Sequence, residues 1–353
     1  MANILAFESF DGGSHKQFRE TITRFSGHNW CWITLPPREW KWRMTIGAKE
    51  LIEKAHSTGA MKGSIDLIFT TSLVDASALR SLLPSKYRST PFVLYMHENQ
   101  AAYPTHDKRD MTFALINLNS VLCADKVLWN SKWNLDSFVN GIRQLLAHTS
   151  HTLHNIENQI RQKSTIAWIP VELPPENIQY NSINDNFTRV VWPHRWEHDK
   201  GPEGLLEIAR KYTKQYKIKW ILLGEQFHKT PHALQTFLNE FKDNIEHAGF
   251  VKSKYEYWQW LLKSDWVLST AEHEFFGIAV VEALLAGCKP WLPDRLSYQE
   301  IIPGCAKYCS PSNDLNRTEM KAMQKHLQNA HALVATSHIN SVLDLKTFSN
   351  LTQ

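Results

Sequence analysis

The feature that most constrains this chain is a repeating alternation. Short apolar runs are separated by stretches of helical period. The first series of candidate strands is Ile4–Phe7, Cys31–Leu35, Ile65–Thr70, Phe92–Met96, Lys126–Trp129 and Ile166–Ile169. A second series follows at Val190–Trp192, Trp220–Leu223, Ile245–Phe250, Trp266–Ser269 and Lys289–Leu292. Segments such as Ala48–His56, Met111–Ala124, Glu203–Lys214 and Tyr255–Lys263 read as the helices between them. Strand–helix alternation implies parallel sheets covered by helices on both faces. Between the two series lies PVELPPENIQYNSINDN, rich in Pro and Asn and without apolar period, which reads as a linker. The expected fold class is therefore α/β, with two doubly wound, Rossmann-like domains facing each other across a cleft. The expected boundaries are 1–170, a linker at 171–186, a second domain at 187–335, and a helical tail at 336–353 packing back on the first domain.

In such sheets ligands bind at the carboxyl ends of strands, so motifs there carry the functional argument. One is EFFGIAVVEALLAGCKP, Glu274 to Pro290, which follows the strand WVLST. Glu274, Phe275, Phe276 and Gly277 read as a turn into a helix starting near Ile278. The amides of Phe276, Gly277 and Ile278 then face out from a helix N-terminus, an anion site suited to a diphosphate. Glu282 lies about two turns deeper, roughly 12 Å of rise, so it cannot share a proton-transfer site with Glu274. It stands between Val281 and Ala283 in an apolar helix, where a carboxylate needs a partner. A second motif, WPHRWEHDKGPEGLL, follows Val190–Trp192 and offers Arg195 and Lys200 as a phosphate clamp. Trp192 and Trp196 either shield that clamp or pack against the sheet.

The remaining motifs lie in the first series. FDGGSHKQF places Gly12 and Gly13 after the first strand, with Ser14 and Gln17 as a capping box. Ser131, and Ser253 with Glu256, read as further helix starts. YMHENQAAYP puts His97 at a strand end, as a ligand contact or a structural histidine, with Glu98 and Asn99 placed to bind acceptor hydroxyls. LPPREWKWRM supplies Arg38, Trp40, Lys41, Trp42 and Arg43. In an extended segment both Trp would face one side, a surface for stacking bases, or else they are core.

Other classes are narrowed by composition. A net charge of +4 permits a nucleic-acid or phosphate partner without demanding one. The five Cys include no C-x-x-C pair, which suits a reducing compartment and gives no recognisable zinc site. HTSHTLH at 148–154 reads as a polar loop rather than a metal tract. No D-x-D occurs, so a magnesium bridge of that type to a diphosphate is not expected, and no metal or other cofactor is called for. MANILAF lacks a basic n-region, and no apolar run reaches the roughly 18 residues of a membrane span. The expected location is the cytoplasm, with no membrane partner.

E-x(7)-E followed by A-x-x-x-G resembles the signature of retaining GT-B glycosyltransferases of the glycogen-synthase-like group. The stretches GGSHKQ, LPPREWKWR, MHENQAAYP, VWPHRWEHDK and STAEHEFFGIAVVEALLAGC together resemble the tRNA-queuosine alpha-mannosyltransferases, the glycosyltransferase-like domain-containing protein 1 family. The resemblance implies the GT-B fold, GDP-mannose as nucleotide-sugar donor and queuosine-containing tRNA as acceptor. It implies that Arg195 and Lys200 hold the diphosphate, Glu274 and His97 the sugar, and Glu282 the ribose, with Gly12 and Gly13 facing the donor. The linker, the 148–154 segment and the tail depart from the pattern.

Overall fold

The computed structural model describes residues 1–103, 111–147, 149, 153–178, 185–226, 229–307 (the Cys305 side chain aside) and 309–348. Most of the 148–154 segment, Pro104, the middle of the expected linker and the last residues of the tail lie outside the described residues. The chain divides into two compact units, Met1–Pro170 with Ala332–Gln353, and Val171–His331.

The first unit runs β1 (Asn3–Glu8), α1 (Gly13–Phe25), β2 (Asn29–Thr34), α2 (Trp40–Ser57), β3 (Leu67–Thr71), α3 (Ala76–Leu82), β4 (Phe92–Met96), α4 (Met111–Cys123), β5 (Lys126–Trp129), α5 (Lys132–Ala147), α6 (Ile156–Gln162) and β6 (Ser164–Ile166). Its strands form one parallel sheet in the order β2-β1-β3-β4-β5-β6. β3 and β4 are buried along their whole length, as parallel strands covered on both faces must be. Phe7, Phe69, Phe92, Trp129 and Phe138 are fully buried around them. The chain leaves β1 for β2 on one side and returns to β3 on the other. That reversal opens a crevice at the carboxyl ends of β1 and β3.

The second unit runs β7 (Thr188–Trp192), α7 (Pro202–Tyr212), β8 (Ile218–Leu223), α8 (His232–Glu240), β9 (Ile245–Gly249), α9 (Lys254–Lys263), β10 (Trp266–Leu268), α10 (Ile278–Leu285), β11 (Lys289–Trp291), α11 (Tyr298–Ile301) and α12 (Arg317–Leu327). Its parallel sheet is ordered β11-β10-β7-β8-β9, so strand order reverses between β7 and β10. The loops after these two strands are the two richest motifs of the sequence. The last helix, α13 (Ala332–Leu343), belongs to the first unit. There it packs on α1, with Asn340 Nδ2 donating to Ser26 O at 2.9 Å.

Two local expectations are corrected. Ser14 does not cap α1: Gly12 holds the cap position, and no side-chain bond caps the helix. A Cβ on Gly12 would lie 2.4 Å from Pro37 Cβ, and Gly13 has φ +51°. Loop packing and backbone conformation, not a hydroxyl, set this helix start. LPPREWKWRM is not extended from Trp40 onward, because α2 begins there. Trp40 and Trp42, two apart on a helix, point to different sides. By contrast, Ser131 Oγ accepts from the Asn134 amide at 2.9 Å, and Ser253 caps α9.

Candidate functional site

The reversal between β7 and β10 brings Lys200 to Glu274. Lys200 is buried in the loop after β7, and its Nζ donates to His273 O at 3.0 Å and Glu274 Oε2 at 3.2 Å. Asp199 Oδ2 lies 3.1 Å from the same nitrogen. Burial works against the ammonium, but the Glu274 and Asp199 carboxylates outweigh it and hold Lys200 above its ordinary pKa. Burial likewise opposes the Glu274 charge, yet Lys200 keeps that carboxyl below its ordinary value. His194 and His273 flank the pair. Burial, then Lys200, pushes them down to about 3 and about 4, so both are neutral at pH 7.

Glu274 enters the turn that starts α10. Its cap residue Gly277 has φ +86°, and no side-chain hydrogen bond caps the helix. The turn is braced from behind. Ser297 Oγ donates to Phe276 O at 3.1 Å, and Phe275 and Phe276 are both buried. His194 Nε2, Ser269 Oγ and Tyr298 OH form a buried chain with steps of 2.9 and 2.8 Å. A positively charged side chain beside an uncapped helix N-terminus has the chemistry to hold a diphosphate. Arg195 is half-exposed, 3.1 Å from Glu197 Oε2. Both Trp of the motif are buried, Trp192 completely, with its indole N–H on Thr270 Oγ1 at 3.0 Å.

Glu282 is buried within α10 and has the partners its position demands. Lys254 Nζ is 2.5 Å from Oε1, and Tyr257 OH donates to Oε2 at 2.8 Å. Burial, reinforced by Glu282, raises the Tyr257 phenol well above its ordinary value. Lys254, Tyr257, His194 and Tyr298 escaped sequence reasoning. His194 stood inside a motif already singled out, but the other three are joined to the site only by the fold.

In the first unit, Glu8 at the end of β1, His15 in the first turn of α1 and His97 just after β4 come together. Glu8 Oε2 is 2.9 Å from His15 Nδ1, and the two histidine rings lie 4.2 Å apart between centroids. Phe18 and Tyr95 pack against His97 at 4.8 and 4.7 Å. Burial, with His15 beside it, drives the His97 pKa well down, and neither of its buried ring nitrogens has a hydrogen-bond partner among the described residues.

The proposed acceptor residues divide. Asn99 is not presented to a ligand: it is fully buried, its amide donating to Asn134 Oδ1 at 2.7 Å and Ser137 Oγ at 3.2 Å. Arg43 is buried and paired with Glu50, so it is no phosphate contact. Trp40 packs on Phe113 at 5.2 Å. Glu98 is half-buried, its carboxylate accepting from Gln100 Nε2 at 3.2 Å. Arg38, Lys41 and Trp42 are exposed, Trp42 by 64%.

Known proteins place this geometry in a family. The family described as tRNA-queuosine alpha-mannosyltransferase N-terminal matches residues 3–171, and glycosyl transferases group 1 matches 175–302. A tRNA-queuosine alpha-mannosyltransferase of Drosophila melanogaster is 31% identical over 317 residues, 85% of this chain and 82% of the relative. The chain belongs to the tRNA-queuosine alpha-mannosyltransferase family. It is a glycosyltransferase enzyme, and its fold is GT-B. A sucrose-phosphate synthase from Thermosynechococcus elongatus superposes with a TM-score of 0.70 at 14% identity, over 99% of this chain and 100% of that one. HepE of Anabaena, solved with UDP, gives 0.60 at 15%, over 99% and 98%. These two likenesses bear on the fold alone. Among the described residues, no helix is long and apolar enough to cross a membrane.

Proposed function

We propose that the enzyme transfers mannose from GDP-mannose to the cyclopentenediol of queuosine at the wobble position of tRNA, with retention of configuration. The observation that carries the donor half is the buried Lys200–Glu274 pair beside the uncapped start of α10. Lys200, Arg195 and the amides of Phe276, Gly277 and Ile278 take the diphosphate, and Phe275 packs behind them. Glu274 takes the mannose and Glu282 the ribose. His97 takes a sugar or acceptor hydroxyl, and Gly12 and Gly13 let the first loop approach the donor.

Transfer follows a front-face route. The bond from the anomeric carbon to the phosphate oxygen breaks as the acceptor oxygen bonds to that carbon. The hydroxyl proton passes to the departing phosphate. The protein supplies position and charge, with no covalent intermediate and no D-x-D metal at the diphosphate. Arg38, Lys41 and exposed Trp42 remain as RNA contacts, a basic and aromatic set of the kind that binds single-stranded loops. The reading places the reaction in the cytoplasm, in keeping with the free thiols of Cys31, Cys123 and Cys288.

The test is incubation with GDP-mannose, UDP-galactose or UDP-glucose against tRNA with and without queuosine. A mass gain of one hexose only with GDP-mannose and queuosine tRNA is expected. Equal transfer to queuosine-free tRNA, or no transfer, overturns the reading.

A further inference from the structure

We propose that Tyr257 is a positioning residue for nucleotide binding: its hydroxyl holds the Glu282 carboxylate in the orientation that receives the two ribose hydroxyls. The inference rests on the reading that Glu282 meets the ribose, and it adds a residue that reading does not use. It starts from cost. Glu282 is 2% exposed in α10, a helix whose other residues, IAVV and ALL, are all apolar. Replacing a buried ion pair by apolar side chains of similar volume is often neutral or stabilising. Stability alone therefore does not account for a carboxylate at this position.

The fold gives Glu282 two unlike donors. Lys254 and Tyr257 stand three apart on one face of α9, and α9 packs beside α10. Lys254 Nζ meets Oε1 at 2.5 Å, and Tyr257 OH donates to Oε2 at 2.8 Å. An ionised carboxylate has room for about four hydrogen bonds, so these two do not exhaust it. Lys254 follows the cap Ser253 and opens α9 at the positive end of its dipole, where a lysine is unfavourable unless an anion faces it. Its ammonium also lies 4.6 Å from the centre of the Tyr257 ring and 5.0 Å from that of Trp258.

The two donors differ in what they can do when a nucleotide arrives. The Lys254 side chain is 53% exposed and ends a flexible four-carbon stem, so its ammonium can yield Oε1 to a hydroxyl. Tyr257 is half-buried, carries a rigid ring on two torsions, and packs edge-on against Trp258 with centroids 5.9 Å apart. Burial, reinforced by Glu282, holds its phenol well above the ordinary pKa, so it stays a donor near neutrality. A carboxylate anchored at Oε2 by a fixed donor keeps its plane, and its freedom is given up before binding rather than during it. Glu282 lies five residues past Gly277, about 7.5 Å along the helix, so a nucleotide whose diphosphate meets the start of α10 can lay its ribose there.

The test is calorimetric titration of the full-length protein with GDP and with 2′,3′-dideoxy-GDP. It is repeated with UDP and its dideoxy counterpart, because the ribose is common to both. The wild type should bind the ribose form about tenfold or more tightly than the dideoxy form. Tyr257→Phe should weaken the ribose form about tenfold and leave the dideoxy form within about twofold. Lys254→Gln should keep the wild-type gap or widen it, since the ribose no longer has to displace an ammonium. Equal loss for both forms, no loss, or a gain in Tyr257→Phe overturns the proposal. So does a gap that closes in Lys254→Gln, and that variant decides the matter if Tyr257→Phe does not fold. A wild type with no gap overturns the ribose reading of Glu282 itself, and the proposal with it. The Tyr257 result stands whichever base is preferred, and no sugar or tRNA enters the assay, so its failure is separate from failure of the transfer experiment.

Discussion

Glu274 and Glu282 show how far single residues could be read in advance. Both were legible as carboxylates at a strand end and in an apolar helix, and the demand of Glu282 for a partner followed from burial alone. The identity of that partner did not, since Lys254 is 28 positions away and meets it only when α9 packs beside α10. Asn99 and Arg43 show the converse. Polar residues near a strand end look available in sequence, but here buried hydrogen bonds and an ion pair occupy them. For Glu274 the linkage is definite in sign. Its folded pKa is below its ordinary 4.5, so its contribution to stability is present above that value and is lost as pH falls through the folded one. Glu274→Gln should cost about 3 kcal/mol near neutral pH, the low end for breaking a buried pair because Asp199 stays with Lys200. Thermal melts of both proteins over a pH series check this: the gap should narrow below 4.5 and stay constant from there to neutrality.

At the scale of elements, strands were read better than helix starts. Parallel strands buried on both faces must be nearly unbroken apolar runs, and β4 and β5 appear at the expected bounds. Helix starts answer to loops, and loops answer to tertiary contact. Ser14 had the right chemistry for a cap, yet the approach of Pro37 gave that position to Gly12. The tryptophans of α2 were misplaced because an extended segment was expected after the strand, whereas a helix begins at Trp40 behind Glu39, itself left-handed with φ +54°. The α10 start yields a prediction of its own. Gly277→Ala puts a Cβ at φ +86° and 3.2 Å from Tyr298 Cε1. The turn that aims the helix amides should shift, weakening GDP binding about tenfold, or about 1.4 kcal/mol. Calorimetric titration with GDP measures it, and unchanged affinity would remove these amides from the diphosphate site.

For the whole molecule, the two-unit plan was visible because the alternation stops and restarts, but the path of the chain was less so. Ala332, Ala335, Ile339, Leu343 and Phe348 are buried, and they lie in the first unit. Lys126 Nζ reaches Val342 O at 3.3 Å, and His338 Nε2 lies 2.9 Å from Ile166 O. Fully burying an aliphatic or aromatic side chain is worth about 1.5–3 kcal/mol. Removing 332–353 should therefore lower the melting temperature of the first unit while leaving that of the second near its original value. Calorimetry that resolves the two transitions would show it, and an unshifted first transition would contradict the packing.

That return of the chain bears on how the protein is made. Synthesis proceeds from the amino end, and domains generally fold as they emerge. Here the second unit is an insertion: every residue of Val171–His331 is available before the first unit has its final helix. The half that begins first is completed last, once α13 has emerged from the ribosome. Until then the face of α1 that α13 covers stands open, and a nascent chain stalled before Ala332 would hold a finished second unit beside an unfinished first one.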